Sequence, residues 1–132
     1  MKNNAYLCIV KKVKPIKTKN IMRQIEENIY SAIRNKENAV LSNTAISFNG
    51  ENTKCLINLH GHIIAEIDFS RNFVKLNNCG FESNITKSRM NIVLNSLNIP
   101  YRVRQRNRKW EVFNIYKKDD IRPFKNKMTL SL

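Results

Sequence analysis

The chain has 132 residues, which is the size of one domain and leaves no room for two domains with separate cores. Hydrophobic residues make up 42% and charged residues 26%, a globular composition that excludes a coiled coil, a collagen-like chain and a long disordered tail. The 24 Lys and Arg residues against 10 Asp and Glu residues give a net charge of +14, which indicates polyanionic partners rather than any particular fold.

Cysteine usage and the N-terminal residues both predict a cytoplasmic protein. The three cysteines, Cys8, Cys55 and Cys79, cannot all pair within one chain, and none lies in a CxxC spacing, so we expect reduced thiols. The apolar run at residues 5–10 is shorter than the core of a secretory signal, about 7–15 residues, and lysines follow it. No stretch reaches the roughly 18 apolar residues of a transmembrane helix.

The first predicted elements are a short strand at residues 6–10 and an amphipathic helix that begins near Ile21. Apolar side chains recur there at the helical spacing, and we expect this stripe to face the core: Ile21, Met22, Ile25, Ile29, Ala32 and Ile33. Thr18 or Asn20 can cap the start of the helix, and polar residues 35–38 mark its end.

From residue 44 the period of the pattern changes to two, which predicts strands at residues 44–48, 53–60, 62–69 and 73–76. Asn49-Gly50 is typical of a type I′ hairpin turn. The third of these strands directs Ile63, Ala65 and Ile67 to its apolar face. Because the connections are short, we expect an antiparallel meander whose apolar face is covered by a helix.

A second helix is predicted after the loop at residues 77–83, capped by Asn84 or Thr86 and ending before Pro100. Its apolar stripe consists of Met90, Val93, Leu94 and Leu97. Two further strands, at residues 101–105 and 110–116, flank a tip at 106–109. The sequence thus predicts a single α+β domain over residues 1–116, an antiparallel meander sheet with two helices packed on one face, followed by a loosely held tail at 117–132.

The most informative segment for function is Tyr-Arg-Val-Arg-Gln-Arg-Asn-Arg-Lys, residues 101–109. Arg102, Arg104 and Arg106 lie at every second position, so on a strand they project from one face. Arg108 and Lys109 in the turn complete a set of five cations in eight residues. The planar guanidinium group can hold phosphate oxygens in a bidentate manner, which favours a nucleic-acid-binding strand.

Two aromatic residues, Tyr101 and Trp110, flank this arginine row and are candidates for stacking on bases. Glu111 is the only nearby acidic residue that would neutralise the row. The alternative is a solvated outer strand whose charges protect it from edge pairing, as natural sheets commonly arrange. We favour the binding interpretation.

Lys87 and Arg89 lie in the first turns of the second predicted helix. There they would be beside free backbone N–H groups and the positive end of the helix dipole, an arrangement that favours an anion. An ordinary exposed first turn is an equally good interpretation.

Signals for catalysis or a cofactor are weak. His60 and His62 lack a third ligand at a suitable spacing, so we expect structural histidines and no metal. Glu66 and Asp68 share a strand face and could bind a divalent ion in a nuclease, yet no general base accompanies them. With three glycines and no glycine-rich phosphate loop, the sequence predicts no enzyme and no cofactor.

Several short motifs lie in a fixed order between residues 44 and 113: Leu59-His60-Gly61 with Ile63-Ile64-Ala65, Asn78-Cys79-Gly80-Phe81, residues 86–91 (Thr-Lys-Ser-Arg-Met-Asn), and Tyr101-Arg102-Val103 with Trp110-Glu111-Val112. In these motifs the chain resembles a group of small bacteriophage proteins. The resemblance implies a phage or prophage source and action inside a bacterial cell. Small phage proteins of this kind often bind host or phage nucleic acid, or disable a host defence complex.

The leading hypothesis is a non-enzymatic module that binds nucleic acid or a nucleoprotein with weak sequence preference, leaving DNA and RNA open. If about five phosphates are neutralised, the logarithm of affinity should fall with the logarithm of salt with a slope of roughly −4 to −5. The alternative is a counter-defence inhibitor of the anti-CRISPR type, which binds a host defence ribonucleoprotein through the same basic face.

Overall fold

The computed structural model describes residues 21–132, so the strand predicted at residues 6–10, the caps Thr18 and Asn20, and Cys8 lie outside the described residues. In chain order the elements are α1 (Ile21–Asn35), β1 (Ala39–Leu41), β2 (Thr44–Phe48), β3 (Lys54–Leu59), β4 (His62–Asp68), β5 (Phe73–Leu76), α2 (Asn84–Ser96), β6 (Tyr101–Arg106), β7 (Lys109–Asn114), β8 (Ile121–Pro123) and β9 (Met128–Ser131). No helix in this part of the chain is long and apolar enough to cross a membrane.

The strands form two antiparallel sheets, which confirms the predicted α+β class. One sheet has six strands in the order β9-β5-β4-β3-β2-β1, and the other has three in the order β6-β7-β8. The hairpin that carries the arginines therefore belongs to a sheet of its own. Helix α2 contacts both sheets and α1, and so it joins the two parts of the fold.

The core lies on one face of the six-stranded sheet. Ile46, Ile57, Ala65 and Leu76 are paired in turn across β2, β3, β4 and β5. Because directly paired residues of an antiparallel ladder share a face, they form one continuous apolar row, and all four are buried. Helices α1 and α2 contribute the opposite side of this core with their own buried residues: Ile29, Ala32, Ile33, Met90, Val93 and Leu94.

Both predicted helices are confirmed, and their ends are fixed by local hydrogen bonds. Helix α1 ends in a Schellman-type arrangement, with Lys36 at a φ of 56° and the Glu37 N–H bonded to the carbonyl of Ala32 at 2.9 Å. The cap of α2 is Ser83, rather than the predicted Asn84 or Thr86, because the Ser83 hydroxyl accepts a hydrogen bond from the Thr86 N–H at 3.2 Å.

The predicted type I′ turn at Asn49-Gly50 is wrong. The side-chain oxygen of Asn49 accepts hydrogen bonds from the N–H groups of Thr53 and Lys54, at 2.8 and 3.1 Å, and this widens the connection to residues 49–53. The positive φ in this loop falls on Asn52. Two successive positive φ values, 53° and 84°, instead occur at His60-Gly61, which forms the two-residue turn between β3 and β4.

A β-bulge interrupts the predicted alternation in β4. Ile57 is paired with Ala65 while the next residue, Asn58, is paired with Ile63, so Ile64 is an extra residue in the ladder. As a result Ile64 is buried, and Ile63, which we predicted on the apolar face, is 38% exposed on the other side.

Cys55 behaves as the small hydrophobic residue expected of a cysteine in an apolar strand. It is fully buried, and burial raises the pKa of its thiol to about 12. Cys79 is partly exposed, and its thiol donates to the carbonyl of Ile63 at 3.3 Å. Both are free thiols.

The prediction of a loosely held tail at residues 117–132 is wrong. Strand β8 adds to the second sheet, and β9 forms an edge of the first, where Leu130 is paired with Val74 and buried. These strands have only three and four residues, and lysines lie before and between them. The alternation of apolar and polar residues is therefore too short to be recognised in the sequence.

Because Leu130 closes one end of the core, we expect Leu130→Ala to lower the free energy of unfolding by about 2–4 kcal/mol, through lost burial and a residual cavity. Thr129→Ala, on the exposed side of the same strand, should change it by less than about 0.5 kcal/mol. Urea unfolding followed by circular dichroism measures both. Equal values for the two variants would show that β9 is not part of the cooperative core.

Candidate nucleic-acid interface

The hairpin β6–β7 has an inner face, which is buried, and an outer face, which carries the arginines. Val103, Trp110 and Val112 are buried on the inner face. Arg102, Arg104 and Arg106 are paired across the ladder with Phe113, Glu111 and Lys109, so the predicted placement of the three arginines on one face is confirmed. We call these six residues the arginine face.

Asn91 of α2 attaches the edge strand of this sheet to the helix. Its side-chain oxygen accepts a hydrogen bond from the Val103 N–H at 2.7 Å, and its side-chain nitrogen donates to the Val103 carbonyl at 2.9 Å. The amide thus replaces a neighbouring strand at this point of β6. The sequence gives no signal for this role, because Asn91 is one of three asparagines on a helix with many polar residues.

Arg102 is held against the backbone at one end of the arginine face. Its guanidinium donates to the carbonyls of Ile99 and Tyr101, both at 2.7 Å, and to the side-chain oxygen of Asn95 at 3.2 Å. Burial lowers the pKa of Arg102, and electrostatic interaction with Tyr116 opposes that change. Its position is therefore fixed by neutral acceptors rather than by a carboxylate.

Arg104 and Arg106 share the carboxylate of Glu111. The distances from the Nε atoms to Oε2 are 2.6 Å for Arg104 and 3.4 Å for Arg106. The Arg104 guanidinium also lies 4.2 Å from the centre of the Phe113 ring. The Arg104 side chain is 36% exposed and that of Arg106 is 56% exposed. One carboxylate between two guanidinium groups leaves a net positive charge, with Arg106 the more accessible partner.

The tip of the hairpin is shorter than predicted, with Asn107 and Arg108 alone forming the turn between Arg106 and Lys109. Both turn residues have positive φ, 55° and 64°. Arg108 and Lys109 are exposed, and no carboxylate of residues 21–132 lies within ion-pair distance of either. The tip thus carries two exposed cations that have no carboxylate partner among the described residues.

Arg89 does not lie on a surface, so the predicted anion site at the start of α2 is wrong for this residue. Arg89 is 2% exposed, and its Nε donates to the Thr44 hydroxyl at 3.0 Å. Burial lowers its pKa. Its position along the helix places it on the buried side with Met90 and Val93. Lys87 points away from that side and donates to the side-chain oxygen of Gln105 at 3.2 Å.

The predicted stacking residues Trp110 and Tyr101 do not present free rings. Trp110 is buried on the inner face in edge-to-face contact with Phe124, with 5.3 Å between ring centres. The Tyr101 hydroxyl donates to Asp120, and the Arg122 guanidinium lies 4.7 Å from the centre of the Tyr101 ring. Both residues alternate with the arginines along the strands and therefore face the other side.

Exposed apolar residues border the arginine face at the end opposite the tip. They are Ile115, Tyr116 and Ile121, and we call them the apolar margin. The Ile115 N–H bonds to the carbonyl of Pro100 at 2.8 Å, which extends the β6–β7 ladder by one step. The sequence offered a signal for this margin, because the residues after β7 remain apolar where a turn would be polar.

The residues considered for a metal or for catalysis have structural roles. The Asp68 carboxylate accepts hydrogen bonds from the N–H groups of Ser70 and Arg71 and from the Ser70 hydroxyl, and these bonds hold the turn between β4 and β5. Glu66 lies opposite Lys75, and the His62 ring packs on Phe81 with 4.7 Å between centres. Within residues 21–132 no group of three or more His, Cys, Asp or Glu side chains is arranged to hold a metal ion.

A family model described as Kyanoviridae Gp96 protein matches residues 22–131. The match includes α1 and the strands β8 and β9, beyond the residues 44–113 on which the resemblance to phage proteins was based. No curated protein and no solved structure matches the chain.

Asp120 connects β8 to β6 and gives the second sheet a pH dependence. The hydrogen bond from Tyr101 and the charge of Arg122 lower the pKa of Asp120 below its usual value. The carboxylate therefore stabilises the folded state above the unfolded pKa of about 3.9, and this contribution is lost as the pH falls through the lower folded pKa. We expect Asp120→Asn to be less stable than the parent protein at pH 7, and the difference to disappear as the pH falls through the lowered pKa of Asp120.

Urea unfolding at pH 7 and pH 2.5 measures this difference. Asp119→Asn is the matched control, because it makes the same charge change at the neighbouring exposed position. If both variants lost the same stability at pH 7, net charge rather than the contacts of Asp120 would be the cause.

Proposed function

This chain belongs to the Kyanoviridae Gp96 family of phage proteins, and from that premise we propose that it is a non-enzymatic protein that binds nucleic acid through the arginine face and the hairpin tip. One observation carries the proposal: three arginines lie on a single outer sheet face, and Arg108 and Lys109 continue the positive charge at the tip. We infer action in the cytoplasm of the bacterial host.

The charge balance of this surface supports a polyanionic ligand. The arginine face has four cations and one carboxylate, so it keeps a net charge of +3, and Arg108 at the tip adds one more. Glu111 fixes Arg104 most closely and leaves Arg106 more accessible. A phosphate that approached Arg106 would compete only with an ion pair at 3.4 Å in a solvent-exposed setting, which contributes little stability.

Contacts of this kind predict affinity without strong sequence preference. Arginine and lysine side chains that neutralise phosphates fix the position of a nucleic acid but carry no sequence information. The residues best placed for ligand contact are Arg106, Arg108 and Lys109. Arg102 and Arg104 are less exposed on the same face, and Lys87 lies beside Gln105 of the edge strand. The proposed site does not include Arg89, Trp110 or Tyr101. Arg89 and Trp110 are buried, and the Tyr101 hydroxyl is bonded to Asp120.

The second candidate function is a counter-defence inhibitor of the anti-CRISPR type, directed at a host ribonucleoprotein. The apolar margin favours it, because exposed Ile115, Tyr116 and Ile121 beside cations suit a partner that offers both protein and RNA surfaces. A pull-down from host lysate with and without nuclease separates the two functions. One protein retained in stoichiometric amount after nuclease supports the inhibitor, and loss of every partner supports direct nucleic-acid binding.

The three accessible cations Arg106, Arg108 and Lys109 set the expected salt dependence. If each neutralises one phosphate, the logarithm of the association constant falls with the logarithm of salt with a slope of about −2 to −3, which is smaller than the slope predicted from five cations. The double variant Arg108→Gln/Lys109→Gln should reduce the magnitude of the slope to about 1. Fluorescence anisotropy with labelled oligonucleotides at several salt concentrations measures it.

Lys125→Gln/Lys127→Gln is the matched control, since it removes the same charge from exposed positions outside the arginine face. We expect its slope to stay near that of the parent protein. A slope near zero for the parent protein, or equal slopes for the two double variants, would contradict binding through the hairpin.

A further inference from the structure

We propose that the arginine face binds single-stranded nucleic acid in preference to duplex, and that Tyr116 is the residue on which a base stacks. This inference rests on the proposed function and specifies the ligand of the same site. It follows from what lies beside the cations rather than from the cations themselves.

Tyr116 is the aromatic residue with the most exposed side chain in the described part of the chain. It is 81% exposed, compared with 52% for Phe81, the other aromatic side chain that is clearly exposed there. Its backbone is held in place, because the N–H groups of Tyr116 and Lys117 both donate to the side-chain oxygen of Asn114, at 2.8 and 3.1 Å. A fixed backbone presents the ring to solvent at a defined place.

Tyr116 follows β7 at the end of the ladder opposite the hairpin tip, where a line of cations ends. Arg106 and Lys109 are at the tip end of the ladder, Arg104 is in the middle, and Arg102 is at the end where Tyr116 follows β7. Arg102 is paired with Phe113, three residues before Tyr116, so Arg102 is the cation of this line that lies closest to Tyr116 along the ladder. At a rise of about 3.3 Å per residue, the line from Arg102 to Arg106 is about 13 Å long. This length accommodates a few nucleotides of an extended strand.

The chemistry of the margin favours unpaired bases. Within a duplex the faces of the bases are covered by their neighbours, so an exposed tyrosine ring beside a flat sheet finds a partner only where bases are unstacked. Ile115 and Ile121 add exposed apolar area, which can pack against bases but offers nothing to phosphates. The major groove admits a helix or a two-stranded ribbon, whereas this hairpin is part of a three-stranded sheet whose inner face packs on α2 and Phe124.

The test compares single-stranded DNA and RNA 12-mers with the DNA duplex of the same sequence, by fluorescence anisotropy at one salt concentration. We expect the single strands to bind about tenfold more tightly than the duplex. Tyr116→Ala should weaken single-strand binding by about tenfold, and Tyr116→Phe, which keeps the ring, should restore it. The salt slope should stay unchanged in Tyr116→Ala, because no phosphate contact is lost.

Phe81→Ala is the matched control, an exposed aromatic ring removed from another part of the surface. Equal affinity for duplex and single strands, or single-strand binding that is unchanged in Tyr116→Ala, would overturn this inference while the proposed function stands. Absence of salt-dependent binding to all three oligonucleotides would overturn the proposed function itself. The difference between the DNA and RNA 12-mers identifies which single strand the face prefers.

Discussion

The pairing of the Asn91 side-chain amide with the backbone of Val103 is the interaction on which the arrangement of the second sheet depends. It ties the edge strand β6 to α2 and holds the hairpin beside the helix, so that the apolar residues of the hairpin are the ones covered. Because residues alternate along a strand, covering Val103, Trp110 and Val112 leaves the arginines on the outer side. The amide on α2 thus fixes the place of the hairpin, and the alternation along its strands sets the cationic residues on the outer side.

Such a surface has an electrostatic cost within the folded protein, since like charges on neighbouring positions repel. Glu111 reduces this repulsion for Arg104 and Arg106, while Arg102 is held by carbonyl oxygens. Phe113 beneath Arg104 provides a further favourable contact for a guanidinium. These contacts orient the arginines without removing their net charge. A surface that only needed protection from edge pairing would not require such specific support, which is why the arrangement favours a binding role.

Hydrophobic periodicity was sufficient to predict both helices, the meander and the faces of the arginine hairpin, because each has enough residues for its period to be visible. Periodicity fails where a local feature overrides the pattern. The Asn49 side chain widens a turn, and a β-bulge places Ile63 on the exposed face of β4. The prediction for Arg89 is wrong because the helical period places it on the buried side of α2, which its charge alone does not indicate. The alternation that placed the arginines outside also placed Trp110 inside, so that error was avoidable from the sequence.

The tip of the hairpin has a consequence for how this protein could be stabilised. Arg108 adopts a left-handed backbone conformation that costs a residue with a Cβ atom roughly 1 kcal/mol and a glycine almost nothing. Glycine at this position would therefore relax the backbone, but it would remove an exposed cation from the tip of the hairpin. Selection for thermal stability alone would favour glycine at position 108. Selection for binding would instead keep the charge of arginine and with it the backbone strain.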